Sequence, residues 1–322
     1  MRNLRAKDIK TEVLKAEQRI KPYIRETPIE YSTYLSNLAD CEVYLKLENI
    51  QLTGSFKLRG AMNKLFSLNK AQIEKGIITV SSGNLGMALA YLAKKFDFRG
   101  IIFLSEIASK TKIEALREYG AEIRLYGDDY IKAERQAQAT AEREGLTYMS
   151  SYNDLQVIAG QGTIGSELER QLKSVDAVFA PVGGGGLISG IAGFMKSGSE
   201  RIEIIGCQPY NSAVMYESIK AGRILDLESK PTISDGTAGG IEAEAITLPM
   251  CRDLVDTWIL LSEKEIIEAL KLILTKHYLL IEGAAALSVA AFLKDKDKFK
   301  GKTVVLVLTG CKISIETLKE IL

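Results

Sequence analysis

Short β-rich runs alternate with helical segments along most of this chain, and that alternation restricts the folds open to it. Between residues 75 and 151, the runs GIITVSS, RGIIFLS, AEIRLYG and LTYMSS are separated by segments with helical spacing. Strands that alternate with helices of this length are typical of βαβ units, in which parallel strands carry helices on their faces. The pattern therefore predicts an α/β protein whose sheets are mostly parallel and flanked by helices.

The alternation continues in the second half of the chain and indicates two domains. Strands are predicted at DAVFAPVG, EIIGCQP and KTVVLVLTG, and a long helix is predicted over residues 262–280. KTVVLVLTG is apolar along most of its length, as in strands that are covered on both faces. We predict a larger domain built from residues 1–75 and 152–322, with a smaller αβ domain, residues 76–151, inserted into it. A ligand is expected in the cleft between them, beyond the carboxyl ends of the strands.

Charge and hydropathy argue against several classes of protein. The chain has 42 Lys and Arg against 41 Asp and Glu, a formal net charge of +1, so no overall field favours nucleic acid or an anionic membrane. No apolar run reaches the length of a membrane span. The charged first 20 residues predict an amphipathic helix and lack the apolar centre of a signal peptide. We therefore expect a cytoplasmic protein that binds neither nucleic acid nor membrane.

Cysteine and histidine are too sparse to support the common metal sites. Cys41, Cys207, Cys251 and Cys311 form no CxxC pair and lie in apolar or strand-like surroundings, which favours packed, reduced thiols over disulfides or a zinc site. His277 is the only histidine. A catalytic triad or a histidine proton shuttle would depend on it alone, and we expect it to have a structural or surface role.

The strongest local motif is PVGGGGLISG, residues 181–190, which joins a predicted strand to a predicted helix. Glycines allow the backbone to approach an anion closely, and a helix N-terminus offers free N–H groups and partial positive charge. The motif therefore predicts a phosphate site, although a flexible turn would explain the glycines too. It matches neither GxxxxGKS nor GxGxxG, which disfavours a nucleoside triphosphate or a dinucleotide.

The segment VSSGNLGMA, residues 80–88, lies at another predicted strand-to-helix junction. Ser81, Ser82, Gly83 and Asn84 offer backbone N–H groups, two hydroxyls and an amide, which suit a carboxylate or a phenolate oxygen. Ordinary capping of the following helix by Ser or Asn would explain the same residues equally well.

Lys57, in QLTGSFKLRGA, and Thr309, in LTGCKIS, become informative only together with these two loops. Taken alone, Lys57 is most simply a surface charge and Thr309 is part of a strand-end turn. A lysine, a phosphate-binding glycine loop, an anion-binding loop and a strand-end hydroxyl together fit one cofactor, pyridoxal phosphate. Lys57 would bind the aldehyde as a Schiff base, Asn84 the ring hydroxyl and Thr309 the ring nitrogen.

These motifs, with VIAGQGTIGSEL, DGTAGG and LLIEGAAA, occur in a familiar order and spacing over nearly the whole chain. The chain resembles the fold type II, tryptophan synthase β-like pyridoxal-phosphate enzymes, and among them the serine/threonine dehydratase and serine racemase group. The resemblance implies a homodimer that eliminates the β-hydroxyl of L-threonine, L-serine or 3-hydroxyaspartate to give a 2-oxo acid and ammonia. Racemisation on the same scaffold is the alternative, and a non-catalytic protein that binds the cofactor or an amino acid is a third.

The resemblance also implies a role for individual residues. Lys57 would carry the Schiff base and move the Cα proton, and Ser82 stands where racemases of the group have their second acid/base. The implied cofactor-binding residues are Phe56, Lys57, Asn84, Gly183, Gly184, Gly185, Gly186, Leu187, Gly236, Glu282 and Thr309. The implied substrate-binding residues are Ser81, Ser82, Gly83, Asn84 and Leu85.

Two motifs depart from the group's usual form. Leu85 and Met87 replace the His and Gln of SSGNHGQA, so contacts to the substrate are expected to differ. Cys311 and Lys312 follow Thr309 in place of the usual SGGN or SGAN ending.

A third departure concerns a divalent metal. Metal-dependent relatives carry a Glu and an Asp after a later strand, where this chain has Gln208 and Val214. Because a hard cation needs oxygen ligands, and above all carboxylates, we predict that no metal binds there.

Overall fold

A computed structural model describes residues 6–322 except residues 107, 109, 129 and 200. Within these residues, ten strands form one six-stranded and one four-stranded sheet. The strands are β1 Ile29–Tyr31, β2 Glu42–Leu47, β3 Ile77–Val80, β4 Gly100–Leu104, β5 Glu122–Leu125, β6 Thr147–Tyr148, β7 Ala177–Pro181, β8 Glu203–Pro209, β9 Thr257–Leu261 and β10 Thr303–Leu308.

Helices separate most of the strands and cover the sheets. They are α1 Ala6–Ile20, α2 Thr33–Ala39, α3 Lys57–Ser67, α4 Lys70–Lys75, α5 Asn84–Phe96, α6 Lys110–Glu118, α7 Tyr130–Glu144, α8 Leu155–Gln171, α9 Gly186–Lys196, α10 Val214–Ala221, α11 Thr247–Leu254, α12 Glu263–Lys276, α13 Gly283–Asp295 and α14 Ile315–Ile321. Among these helices, none combines the length and the apolar composition needed to cross a bilayer.

Both sheets are mostly parallel, which confirms the predicted α/β class. The larger sheet has the order β1–β2–β10–β7–β8–β9, and only its edge strand β1 runs antiparallel to its neighbour. The smaller sheet has the order β5–β4–β3–β6 and is parallel throughout. Three strands of the larger sheet, β1, β2 and β9, are not among the strands predicted from the sequence.

The surroundings of strand β10 explain the continuous apolar run in KTVVLVLTG. Val304, Leu306 and Leu308 belong to the hydrophobic cluster on one face of the larger sheet, whereas Val305 and Val307 belong to the cluster on the other face. Successive side chains of a strand point to opposite faces, so burial on both faces demands an unbroken apolar run.

The strands of the smaller sheet all lie within residues 77–148, and those of the larger sheet lie on both sides of that stretch. Packing crosses this division, because Leu58 on α3 and Val157 on α8 share a hydrophobic cluster with Leu85 and Leu89 on α5. The predicted domain limits remain a proposal, and α3 and α8 connect the two sheets.

The helix predicted over residues 262–280 is too long. It ends at Lys276, with His277 as its C-cap. Tyr278 has a φ of 56°, in the left-handed region that an α-helix of L-residues cannot continue through. The His277 ring lies 3.1 Å from Ser32 Oγ, so its contact is with the surface around β1 and α2, consistent with the expected structural role.

Some sequence predictions extend beyond the described residues. The N-terminal helix was predicted from residue 1, and residues 1–5 lie outside the described part. The helically spaced segments SKTKIEALREYG and DYIKAERQAQATAEREG also begin outside it, and α6 and α7 are described from residues 110 and 130. All four cysteines are free thiols; three are buried, and Cys311 is partly exposed.

Candidate active site

Lys57 opens α3 and lies at the junction of the two sheets. Its Nζ atom donates to the carbonyl oxygen of Ser151 at 3.3 Å and lies 5.1 Å from the centre of the Phe56 ring. Burial lowers the pKa of Lys57 to about 8, although the carboxylate of Glu282 acts in the opposite direction. A larger fraction of this amine is therefore uncharged near neutral pH than in an ordinary lysine, and the uncharged form is the one that attacks a carbonyl carbon.

Two helix N-termini at the site have free N–H groups. α9 begins at Gly186, behind Gly185 with a φ of +84°, and α5 begins at Asn84, behind Gly83; within the described residues, no side chain caps either helix. The first N–H groups of a helix have no partner in the helix itself and bind anions readily. The two predicted anion sites therefore coincide with uncapped helix N-termini.

The glycine loop is shaped by its neighbours as well as by its backbone conformation. A Cβ atom on Gly184 would lie 2.3 Å from the ring of Tyr152, and one on Gly185 would lie 2.7 Å from Cys251 Sγ. The Thr247 hydroxyl donates to the carbonyl oxygen of Gly184 at 2.6 Å. Larger residues would push the loop away from these contacts.

Glu282 joins two of the predicted cofactor contacts. Its buried carboxylate accepts hydrogen bonds from Asn84 Nδ2 at 2.9 and 3.1 Å and from the Thr309 hydroxyl at 3.4 Å. Gly310 leaves room for this carboxylate, since a Cβ atom there would lie 2.6 Å from Glu282 Oε1. The Asn84 Oδ1 atom is buried and has no hydrogen-bond partner in the described part of the chain. An acceptor of this kind is available to a ligand.

Several other predicted residues lie in the same place. The Phe56 N–H group donates to the Thr309 carbonyl oxygen at 3.0 Å, and a Cβ atom on Gly236 would lie 3.8 Å from Glu282 Oε1. The structure therefore brings Lys57 together with Asn84, Glu282 and Thr309 from four separate segments. Their individual roles remain proposals.

The residues proposed to bind substrate differ in whether their polar groups are free to bond it. Ser81 Oγ accepts from the Gly83 N–H at 3.1 Å, so this hydroxyl is used within the loop. The Ser82 hydroxyl has no hydrogen-bond partner among the described residues. The Leu85 side chain is buried in the core, so only its backbone N–H could contact a substrate.

Tyr152 and Glu242 form part of the site that the sequence did not reveal. The Tyr152 hydroxyl accepts from the Glu242 N–H at 2.8 Å. The Glu242 carboxylate accepts from Ser150 Oγ at 2.9 Å and from Asn153 Nδ2 at 2.8 Å. These bonds fix residues 150–153, the segment that contacts both Lys57 and the glycine loop. A polar run directly after the last strand of the smaller sheet was the available signal.

A buried ion network behind α3 was also missed. The Arg59 guanidinium bonds both carboxylate oxygens of Glu48, at 2.8 Å each, and both of Glu167, at 2.6 and 2.9 Å. Lys46 also pairs with Glu167, and all four side chains are buried. A lysine inside the apolar run VYLKL could have indicated it, because buried lysines are rare unless they are paired.

The comparison with known proteins identifies the family. The sequence profile of the pyridoxal-phosphate dependent enzymes matches residues 20–310. The chain belongs to this family. The two uncapped helix N-termini, the free Asn84 Oδ1 atom and the low-pKa amine of Lys57 suit the phosphate, ring hydroxyl and aldehyde of this cofactor.

Within this family, the pyridoxal-phosphate enzyme described here is similar to proteins that are named for reactions on threonine and serine. It is 36% identical to the L-threonine ammonia-lyase of Thermotoga maritima, covering 97% of this chain and 77% of the relative. It is 40% identical to a catabolic L-threonine dehydratase of Staphylococcus aureus, covering 94% and 89%. The structure of maize serine racemase superposes with a TM-score of 0.91 at 30% identity, covering 97% and 95%.

Gly184→Ala is expected to weaken cofactor binding about tenfold, because the added methyl group overlaps the Tyr152 ring and displaces the loop. Cofactor titration of the apoprotein, followed by quenching of protein fluorescence, measures this change. Gly240→Ala is the matched control, since a Cβ atom there meets nothing within 4 Å. Equal affinities of the two variants would contradict the expectation.

Mg²⁺ or Ca²⁺ is expected to leave the thermal midpoint of the holoenzyme unchanged. Gln208 Oε1 accepts from the Tyr216 N–H at 2.9 Å, Val214 is buried, and neither side chain carries a carboxylate. An ion present at about 100 times its dissociation constant would add about 2.7 kcal/mol and raise the midpoint by several degrees. Thermal unfolding with and without each ion, with a chelator as the reference, measures the difference.

Proposed function

We propose that this enzyme is an ammonia-lyase that eliminates the β-hydroxyl group of a small hydroxy amino acid, with L-threonine and L-serine as the first substrates to test and 3-hydroxyaspartate next. The observation that carries the proposal is the amine of Lys57, whose pKa is lowered by burial to about 8, in a site that also has two uncapped helix N-termini. The names of the Thermotoga maritima and Staphylococcus aureus relatives agree with this reaction.

Each residue of the site has a separate role in the proposed reaction. Bound pyridoxal phosphate supplies an electron-withdrawing ring that acidifies the substrate Cα–H. The N–H groups at the start of α5 bind and orient the substrate carboxylate. Lys57 Nζ would hold the cofactor and would accept the substrate Cα proton as a general base. Asn84 and Thr309 would hold the ring, and Glu282 would orient these two side chains.

The test is a turnover assay on purified holoprotein. L-threonine, L-serine and 3-hydroxyaspartate are each incubated with the enzyme, and release of the 2-oxo acid and of ammonia is followed separately. Lys57→Ala serves as the inactive control. Release of neither product from any of the three amino acids would refute the lyase proposal.

Racemisation is the second candidate, because Ser82 lies at the start of the anion-binding loop and maize serine racemase has a closely similar structure. We rank it second because no titratable group in the described part of the chain hydrogen-bonds the Ser82 hydroxyl and so could hold its proton. Chiral chromatography of L-serine incubations separates the two reactions. Ser82→Ala would abolish racemisation and leave elimination largely intact.

A non-catalytic binding protein is the third candidate, and it would form the visible Schiff-base band without releasing product.

We also propose that the enzyme is a cytoplasmic homodimer and that residues 76–151 form the smaller domain. Light scattering after gel filtration tests the dimer. Limited proteolysis that releases fragments cut near residues 75 and 151 would support the domain limits.

A further inference from the structure

Lys312 is a second lysine near the cofactor site, and the reaction proposed above does not use it. It follows β10 in a turn held on both sides: the Glu282 N–H donates to the Gly310 carbonyl oxygen, and the Cys311 N–H donates to that of Gly54, each at 3.0 Å. Its Nζ atom is buried and has no hydrogen-bond partner among the described residues. A buried ammonium group without a partner is costly, so its charge calls for an explanation.

The charges around Glu282 explain why Lys312 carries a buried positive charge. Burial raises the pKa of Glu282, and so does the carboxylate of Asp235. The amide of Asn84 lowers it, as do the backbone N–H and the ammonium group of Lys312. Lys312 therefore acts twice in favour of the ionised form. Lys57 is a further cation that interacts with Glu282, and its amine would be bound to the cofactor in the holoprotein.

The ionisation of Glu282 decides how two cofactor contacts are oriented. An ionised carboxylate only accepts hydrogen bonds, so Asn84 must present its NH₂ group and Thr309 its hydroxyl hydrogen. The Asn84 Oδ1 atom and the lone pairs of Thr309 Oγ1 are then left as acceptors, for a ring hydroxyl group and for a ring nitrogen that carries a proton. A protonated Glu282 could donate, and both side chains could turn over.

We propose that Lys312 is a positioning residue for the cofactor: its positive charge keeps Glu282 ionised, and ionised Glu282 fixes the hydrogen-bond directions of Asn84 and Thr309. The inference rests on the cofactor and not on the reaction that follows, so it stands whether elimination or racemisation is observed.

The proposal has a definite pH dependence. Burial lowers the pKa of Lys312 to about 8, so its charge is present below that pH and is lost above it. Lys57 has a similar pKa in the apoprotein but has no free amine in the holoprotein. Burial raises the pKa of Cys311, which moves its titration further from this range. Rising pH removes the Lys312 proton and adds none to Glu282, so a transition near pH 8 in the holoprotein would report the field of the Lys312 charge on the cofactor. Lys312→Met separates this transition from titration of the cofactor itself.

The experiment follows the cofactor absorbance of the holoprotein from about pH 6 to about pH 10, together with cofactor affinity at about pH 7. Wild type is expected to show a spectral transition near pH 8. Lys312→Met is expected to lack the transition and to bind the cofactor about tenfold more weakly, the range expected for coupled neighbours. Lys312→Arg keeps the charge, so it should keep the affinity and the neutral-pH spectrum and lose only the transition. Lys319→Met, at an exposed site of the same terminal segment, should behave as wild type.

Glu282→Gln completes the cycle, because Lys312→Met should change nothing further in that background. Infrared difference spectra give an independent reading if Lys312→Met fails to fold. In wild-type holoprotein at neutral pH, Glu282 should contribute no carboxylic-acid band. A carboxylic-acid band that disappears in Glu282→Gln, or an unchanged pH profile in Lys312→Met, would overturn the proposal.

Discussion

Replacement of Lys57 by alanine is expected to abolish the Schiff-base absorbance and to lower turnover by about 10³-fold or more, the contribution expected of a general base. The absorbance spectrum and single-turnover kinetics of the reconstituted variant measure both effects.

The pH dependence of cofactor loading gives a second reading of the same residue. Burial lowers the pKa of Lys57 to about 8, and only the neutral amine attacks the aldehyde. The rate of Schiff-base formation by apoprotein is therefore expected to rise as the pH passes through about 8 and then to level off. Lys70→Ala is the control, since Lys70 is 90% exposed. A visible band in Lys57→Ala would contradict the assignment.

Arg59→Met is expected to lower the free energy of unfolding by about 3–5 kcal/mol, because it leaves the carboxylates of Glu48 and Glu167 buried without their main partner. Burial alone would raise the pKa of the Glu167 carboxylate, but Arg59 and Lys46 together lower it. Without Arg59 that carboxylate is expected to take up a proton more readily. Denaturant unfolding monitored by circular dichroism measures the loss.

Two further variants separate the network from general effects of losing an arginine. Arg252→Met removes an exposed arginine whose pair with Asp253 lies at the surface, and it should change stability by less than about 1 kcal/mol. Arg59→Lys should recover only part of the loss, because an ammonium group cannot bind two carboxylates in the planar, bidentate manner of a guanidinium. An Arg59→Met variant as stable as Arg252→Met would contradict this account.

Local patterns were sufficient to predict most of the fold and the site's main loops. KTVVLVLTG reads as a strand covered on both faces because every residue of β10 from Val304 to Leu308 packs into one of the two hydrophobic clusters. The four glycines read as a phosphate loop because they fall between a strand and a helix, and α9 does begin there without a side-chain cap.

Features that depend on contacts between distant segments could not be predicted in this way. The motif SFKLRGA gives no sign that Arg59 is paired. Its partner Glu48 directly follows β2, and its partner Glu167 lies in α8. Tyr152 becomes part of the site only because its ring packs on Gly184, and no local pattern specifies that contact. The edge strand β1 has three residues, too few for an alternating pattern.

The pairing of β10 with β2 also dictates the order in which the protein can be assembled. The strands of the smaller sheet follow one another within residues 77–148, so they can pair as soon as that stretch has left the ribosome. The larger sheet must wait, since β2 lies near the beginning of the described chain and β10 near its end, and such distant pairing is slow. Thr309, whose carbonyl oxygen accepts from the Phe56 N–H, arrives with β10. Cofactor loading thus marks a chain whose translation has passed the last strand.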